Sequence, residues 1–130
     1  MRIRRQISVF VENKPGRLSK VLEALRDRGI CVEAFMIADA GEFGIIHLLL
    51  SDPDRGKERL MRDSFVVSER EVLVLGSVYQ DLLLKLSTEL GMNGINIQYA
   101  YGALAENGSI VMKLSDLKRG EEVLKRIAPS

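Results

Sequence analysis

Residues 51–60 read Ser-Asp-Pro-Asp-Arg-Gly-Lys-Glu-Arg-Leu, and residues 115–124 read Ser-Asp-Leu-Lys-Arg-Gly-Glu-Glu-Val-Leu. Ser51, Asp52, Arg55, Gly56, Glu58 and Leu60 recur in register as Ser115, Asp116, Arg119, Gly120, Glu122 and Leu124. Upstream, Leu18, Leu25, Gly29, Ile30 and Val32 fall against Leu83, Leu90, Gly94, Ile95 and Ile97 at nearly the same offset. A period of about 65 residues is too long for a helical solenoid unit and long enough for a small domain. The chain therefore reads as two similar subdomains, residues 1–68 and 69–130. Each alone would be marginal, so the halves are expected to stabilise one another. A groove between paired subdomains is a natural ligand site, which favours a binding module over an enzyme.

The repeat also orders the elements. Ile3, Ile7, Val9 and Val11 share one side of a strand over residues 3–12. After Asn13-Lys14-Pro15-Gly16, the spacing of Leu18, Val21, Leu22 and Leu25 predicts a helix with one apolar face, ended by Gly29. Residues 30–38 and 43–50 read as strands joined by a turn at residues 39–42. Asp52 ahead of Pro53 starts a helix running to about Asp63, because an acceptor side chain precedes a proline at the first helical position. A strand opens at residues 65–67, making the first half β-α-β-β-α-β. In the second half, strand 72–77, helix 81–90 and its break at Gly94 lead to a hairpin of 95–104 and 109–114 around Glu106-Asn107-Gly108. Helix 118–127 closes it, so the last strand is missing. Residues 68–71 are too few to let the halves move independently. The fold class is α+β, with two ferredoxin-like βαββαβ subdomains, the second truncated.

In such a split β-α-β fold the fourth strand lies beside the first. Its absence would bare the edge of residues 72–75, to be covered by a continuous sheet or by another chain. Ile45 and Leu49 are apolar on the strand face opposite Ile46, Leu48 and Leu50, and helices on one side alone would leave that face wet. Both features predict an oligomer, most simply a homodimer.

Composition narrows the partners. Lys and Arg number 19 against 18 for Asp and Glu, so no large field draws nucleic acid or a membrane surface. Cys31 is the only cysteine, which removes intrachain disulfides and paired-cysteine metal or redox sites. No apolar run suits a secretory leader or a bilayer span, and a reducing cytoplasm is the expected location.

The stretch Val11-Glu12-Asn13-Lys14-Pro15-Gly16-Arg17-Leu18 carries the most chemistry. Pro15 fixes a turn and Gly16 removes a side chain where the helix opens, leaving backbone N–H groups to face an anion such as a carboxylate. Charge effects there are worth about 0.3–1 kcal/mol each, so further contacts must supply affinity. The structural alternative is a helix-initiating turn with no ligand.

With the repeat and element order, this turn resembles that of the ACT-domain family of small-molecule regulatory modules. The likeness is greatest to stand-alone tandem ACT proteins and covers essentially the whole chain. Asn13-Lys14-Pro15-Gly16-Arg17-Leu18 matches the family's Asn-x-Pro-Gly-x-Leu turn, and Phe43-Gly44-Ile45-Ile46 and Ser-Asp-Pro-Asp resemble further segments. The resemblance implies amino-acid effectors at domain interfaces. It makes Asn13 a ligand hydrogen-bonder, Gly16 the point of close approach, and Ile37 and Ala38 a facing wall; Lys14, Pro15, Arg17 and Leu18 complete the site. At the aligned positions the second half has Val78, Tyr79, Gln80, Asp81 and Leu82, so one site per chain is expected, with Tyr99 or Tyr101 as weaker contributors.

Other residues offer less. His47 in an apolar strand reads as structural, and Cys31 as small buried filler. Asp39 and Glu42 read as solvated turn residues, and Arg55 and Glu58, repeated as Arg119 and Glu122, as a solvated salt bridge or shared helix chemistry. The alternation of Tyr99 and Tyr101 would suit base stacking, but the basic-aromatic signature of an RNA-binding sheet is missing. No nucleophile–base pair, metal-ligand cluster or phosphate loop is evident, so neither catalysis nor a cofactor is expected. The expected function is regulation by a bound amino acid or related metabolite, through assembly or a regulated enzyme partner. An interaction subunit that keeps the fold for assembly alone is the alternative.

Overall fold

The computed structural model describes residues 1–104 and 108–127. Glu106 and Asn107 of the expected hairpin turn, and residues 128–130, lie outside the described residues. Among the described residues six strands and four helices follow in the order β1 (Arg2–Glu12), α1 (Arg17–Arg26), β2 (Val32–Ala40), β3 (Phe43–Leu50), α2 (Pro53–Arg62), β4 (Val66–Leu75), α3 (Gln80–Met92), β5 (Ile97–Gly102), β6 (Ile110–Leu114) and α4 (Leu117–Lys125). The fold is the expected α+β tandem of ferredoxin-like units.

The chain divides into two compact units, Arg5–Arg70 on one hand, and Met1–Arg4 with the residues from Glu71 onward on the other. The expected halves differ from these chiefly in the first four residues. In the Arg5–Arg70 unit the strand order is β2-β3-β1-β4. Its antiparallel β1–β3 ladder pairs Ile7 with Leu48, Val9 with Ile46 and Val11 with Gly44. Those β1 side chains and Ile46, Leu48 and Leu50 pack with Val21, Ala24 and Leu25 of α1, Ile30 and Leu60 in one core. The period-two and 3.6-residue patterns of the sequence thus meet on one face. Leu49 lies on the opposite face of β3 and is buried.

In the other unit the order is β1-β4-β6-β5. Its core joins Leu73 and Leu75 of β4, Met112 and Leu114 of β6, Leu86 and Leu90 of α3, and Val123 and Leu124 of α4. Met1 and Ile3 pack against it. The chain's own N-terminal residues therefore stand where the missing last strand of this unit would run, and the edge expected to be bare is taken. Two strands were expected around residues 65–67 and 72–77, but β4 runs through both units as one. Residues 68–71 contain no Gly, Pro or Asn to break it.

The repeated motif has the same structural use in each unit. Ser51 Oγ accepts from Cys31 N, and Ser115 Oγ from Asn96 N, both at 2.9 Å. Asp52 and Asp116 cap α2 and α4 by accepting from Arg55 N and Arg119 N at 3.1 and 3.2 Å. Arg55 Nη2 donates to Arg28 O, and Arg119 Nη2 to Asn93 O, each at 2.9 Å, tying the second helix of the unit to the end of the first. Of the two expected readings of the repeated arginine, these bonds favour shared helix chemistry over a surface salt bridge. Gly56 and Gly120 lie directly over Leu50 and Leu114, where a Cβ would overlap the leucine side chain. Gly29 (φ 69°) and Gly94 (φ 71°) end α1 and α3 in the left-handed conformation, with Ile30 N and Ile95 N bonding back to Leu25 O and Leu90 O.

Candidate functional site

The β1–α1 turn is built from its backbone outward. Asn13 N donates to Glu42 O at 2.9 Å and so ties the turn to the β2–β3 hairpin. The Asn13 side chain is already engaged, donating from Nδ2 to Asp39 Oδ1 and to Gly41 O, both at 3.0 Å. Asp39 Oδ1 also accepts from Gly41 N at 2.9 Å, so this exposed residue, solvated as expected, also organises the hairpin. Gly16 (φ 87°) is the N-cap of α1, in a conformation that a side chain would strain, and it offers no capping group. No acidic residue occupies the first turn of α1. This helix start is open to an anion, unlike those of α2 and α4, which carry their own aspartates.

Beside this turn lies a groove of about 860 Å³, within the Arg5–Arg70 unit. Its apolar surface comes from Phe10, Phe43, Ile45, Phe65 and Val66. Phe10 stands opposite Ile45 in the β1–β3 ladder, and Glu12 opposite Phe43, on the face away from the core. Arg17 and Lys20, three residues apart on α1, bring positive charge, while Glu12 and Asp63 bring negative. Glu12 is shared by Lys14 at 2.9 Å and Arg17 at 3.4 Å. The Lys14 hydrogen bond first, then the charges of Lys14 and Arg17, hold its carboxyl below the usual carboxylate range. Asp63 lies 3.6 Å from Arg59. Ser64 at the rim has φ 67°, a left-handed residue that ends α2 where glycine ends α1 and α3.

Of the residues the sequence assigned to the ligand site, only Arg17 lines this groove among the described residues; Val11 and Glu12 of the same stretch line it too. Asn13, Lys14 and Pro15 are exposed on the turn, and Leu18 packs against the core. Ile37 pairs with the core residue Ile46 and Ala38 with Ile45, so the two side chains leave opposite faces of β2 and do not form one wall. Phe10, Phe43, Lys20 and residues 63–66 were not anticipated. The signal available was an aromatic at Phe10 between Val9 and Val11, on the face the strand's alternation assigns to polar residues.

In the other unit, Val78 N donates to Gly108 O at 2.7 Å, the counterpart of the Asn13–Glu42 bond, but without the side-chain clip. Asp81 sits in the first turn of α3, where its carboxylate disfavours a second anion. Tyr99 and Tyr101 stack on β5 with centroids 6.5 Å apart. Tyr101 is mostly buried, which raises its hydroxyl pKa. His47 is buried beside Ser8 Oγ at 2.9 Å and Gln6 Nε2 at 3.1 Å, and burial lowers its pKa. Cys31 is exposed, contrary to its expected role as filler, because only its backbone is held, by Ser51. Among the described residues no cluster of His, Cys, Asp or Glu could hold a metal ion, and no helix is long and apolar enough to cross a membrane.

Fold and site together define a tandem α+β module with an amphiphilic groove beside one uncapped helix. The chain belongs to the ACT domain pair family, whose sequence model matches residues 1–127. Among solved structures, protein BT0572 from Bacteroides thetaiotaomicron is 33% identical, with a TM-score of 0.86 covering 96% of this chain and 88% of that one. The ligand-free regulatory subunit of aspartate kinase from Thermus thermophilus shares the fold at 15% identity and a TM-score of 0.70, covering 98% and 95%. The corresponding subunit from Thermus flavus does so at 17% and 0.69, covering 98% and 93%. No curated protein matches the chain.

Proposed function

We propose that this protein is a non-catalytic regulatory module that binds an amino acid or related metabolite in its Arg5–Arg70 unit. The observation that carries this reading is the groove beside the open start of α1, where cationic and anionic side chains flank an apolar floor. A zwitterion needs both signs of charge within a few ångströms, and an apolar wall excludes competing water. Turn residues Asn13, Lys14, Pro15 and Gly16 then act mainly by shaping the loop, since the Asn13 amide is spent on Asp39 and Gly41. Regulation passes through assembly or through an enzyme partner in the cytoplasm. For assembly, the reading favours a homodimer formed at the β2 edge, where Phe35 and Ile37 are partly exposed.

A thermal-shift screen of the purified chain against the twenty amino acids, followed by native mass measurement with and without each hit, tests this. A ligand at a hundred times its dissociation constant adds about 2.7 kcal/mol of stability. One stereospecific hit that also alters assembly or partner capture is the expected outcome. A folded sample that responds neither to the twenty nor to common metabolic acids screened beside them refutes the reading and leaves an interaction subunit in its place.

A further inference from the structure

We propose that the groove selects a carboxylate with a large apolar side chain, typified by L-phenylalanine, and that Phe10, Phe43, Ile45 and Val66 form the side-chain subsite. This rests on the amino-acid reading above and adds the class of side chain recognised. Phe43 is 56 % exposed, Phe10 39 % and Val66 64 %, although all three border one cavity. Large apolar side chains scattered singly over a surface need no explanation, but a contiguous set around a cavity marks a binding surface. The cavity, about 860 Å³, falls within the range usual for small-molecule sites.

The charges set the ligand's orientation. Arg17 and Lys20 stand at the open end of α1, and among the described residues Lys20 has no ion-pair partner. Among the described residues Arg17 forms an ion pair only with Glu12, at a long 3.4 Å, and Glu12 is held more closely by Lys14. A ligand carboxylate therefore finds two cations that no internal acid neutralises fully. Its amine falls to Glu12 or Asp63, and the remainder of the molecule lies on the phenylalanines. An acidic side chain would set a second anion against apolar carbon, and a basic one would strand a cation there, each losing hydration without a partner. A phosphate ester fares no better, since Glu12 and Asp63 repel it.

The test is isothermal titration of the full chain with L-phenylalanine, L-leucine, L-aspartate and L-lysine, together with 3-phenylpropionate and phenethylamine. L-phenylalanine and L-leucine should bind, with 3-phenylpropionate weaker and phenethylamine, which lacks the carboxylate, failing. Phe43→Ser should weaken L-phenylalanine about tenfold or more, and Lys20→Gln by several-fold. Val66→Ser, at a still more exposed position, repeats the side-chain test should Phe43→Ser unfold. If L-aspartate or L-lysine binds best, or L-phenylalanine binds unaltered by Phe43→Ser and Val66→Ser, the subsite is wrong while amino-acid binding stands. If no amino acid binds the folded chain, the underlying reading fails and this inference with it.

Discussion

The two units share a motif and differ in a turn, and the difference separates what holds the fold from what a ligand could use. Ser51-Asp52-Pro53-Asp54-Arg55-Gly56 and its copy from Ser115 make the same four arrangements: a hydroxyl to a strand N–H, a capped helix, an arginine to a helix end, and a glycine over a leucine. Such matching follows from packing one helix closely onto a small sheet. The first turns retain only a backbone bond, Asn13 N to Glu42 O in one unit and Val78 N to Gly108 O in the other. In the Arg5–Arg70 unit the turn opens a helix with no acid in its first turn, beside a groove, whereas its counterpart places Asp81 at the helix start.

The strand faces away from the cores differ as well. Leu50 and Leu114 are equivalent because each lies under its motif's glycine. Three residues earlier stand His47 and Val111, paired across the sheet with Ser8 and Val74. A buried polar rung in one unit thus corresponds to an apolar rung in the other.

If the motif is structural in both units, Gly56→Ala and Gly120→Ala should each destabilise the chain. Overpacking costs about 1–3 kcal/mol, since Leu50 or Leu114 must shift within a filled core, and about 1 kcal/mol returns as helix propensity. Urea denaturation should show a net loss of up to about 2 kcal/mol for each variant. A loss in only one would break the equivalence. Asp52→Ala and Asp116→Ala remove matching caps and should cost about 1 kcal/mol apiece by the same measurement. Neither should lower affinity for a ligand bound at the other end of the Arg5–Arg70 unit, and a tenfold loss would join the motif to the site.

The smallest effect at neutral pH belongs to His47. Burial lowers its folded pKa below the ordinary value of about 6.5, so the unfolded state binds the proton more readily. Its neutral form is accommodated without penalty above pH 6.5, and stability falls progressively as pH drops below that value. Urea midpoints between pH 8 and pH 5 should record this slope. The double variant Ser8→Val, His47→Val, which copies the rung of the other unit, should flatten it.

Much of this was legible before folding. The Asp-before-helix signals at Asp52 and Asp116, the terminators Gly29 and Gly94, and the helix face of Val21 and Leu25 are local, and each acts within a few residues of itself. The candidate groove was not legible. Phe10 and Ile45 lie far apart in the chain and become neighbours only through the antiparallel register of β1 and β3. Ile37 and Ala38 looked like one wall because they are adjacent, but strand geometry sends adjacent side chains to opposite faces. Asn13 looked like a free donor because its acceptor, Asp39, is supplied by another hairpin.

By itself the sequence determined the tandem, its element types and the helix ends, since short-range hydrogen bonding and hydrophobic periodicity suffice for those. Tertiary structure alone decided that Met1 and Ile3 serve the unit of residues 71–127, that β4 runs unbroken, and that exposed phenylalanines gather beside Arg17 and Lys20. Those outcomes depend on pairing distant strands. The free energy of such pairing lies in burial summed over the whole core, which no local stretch of sequence records.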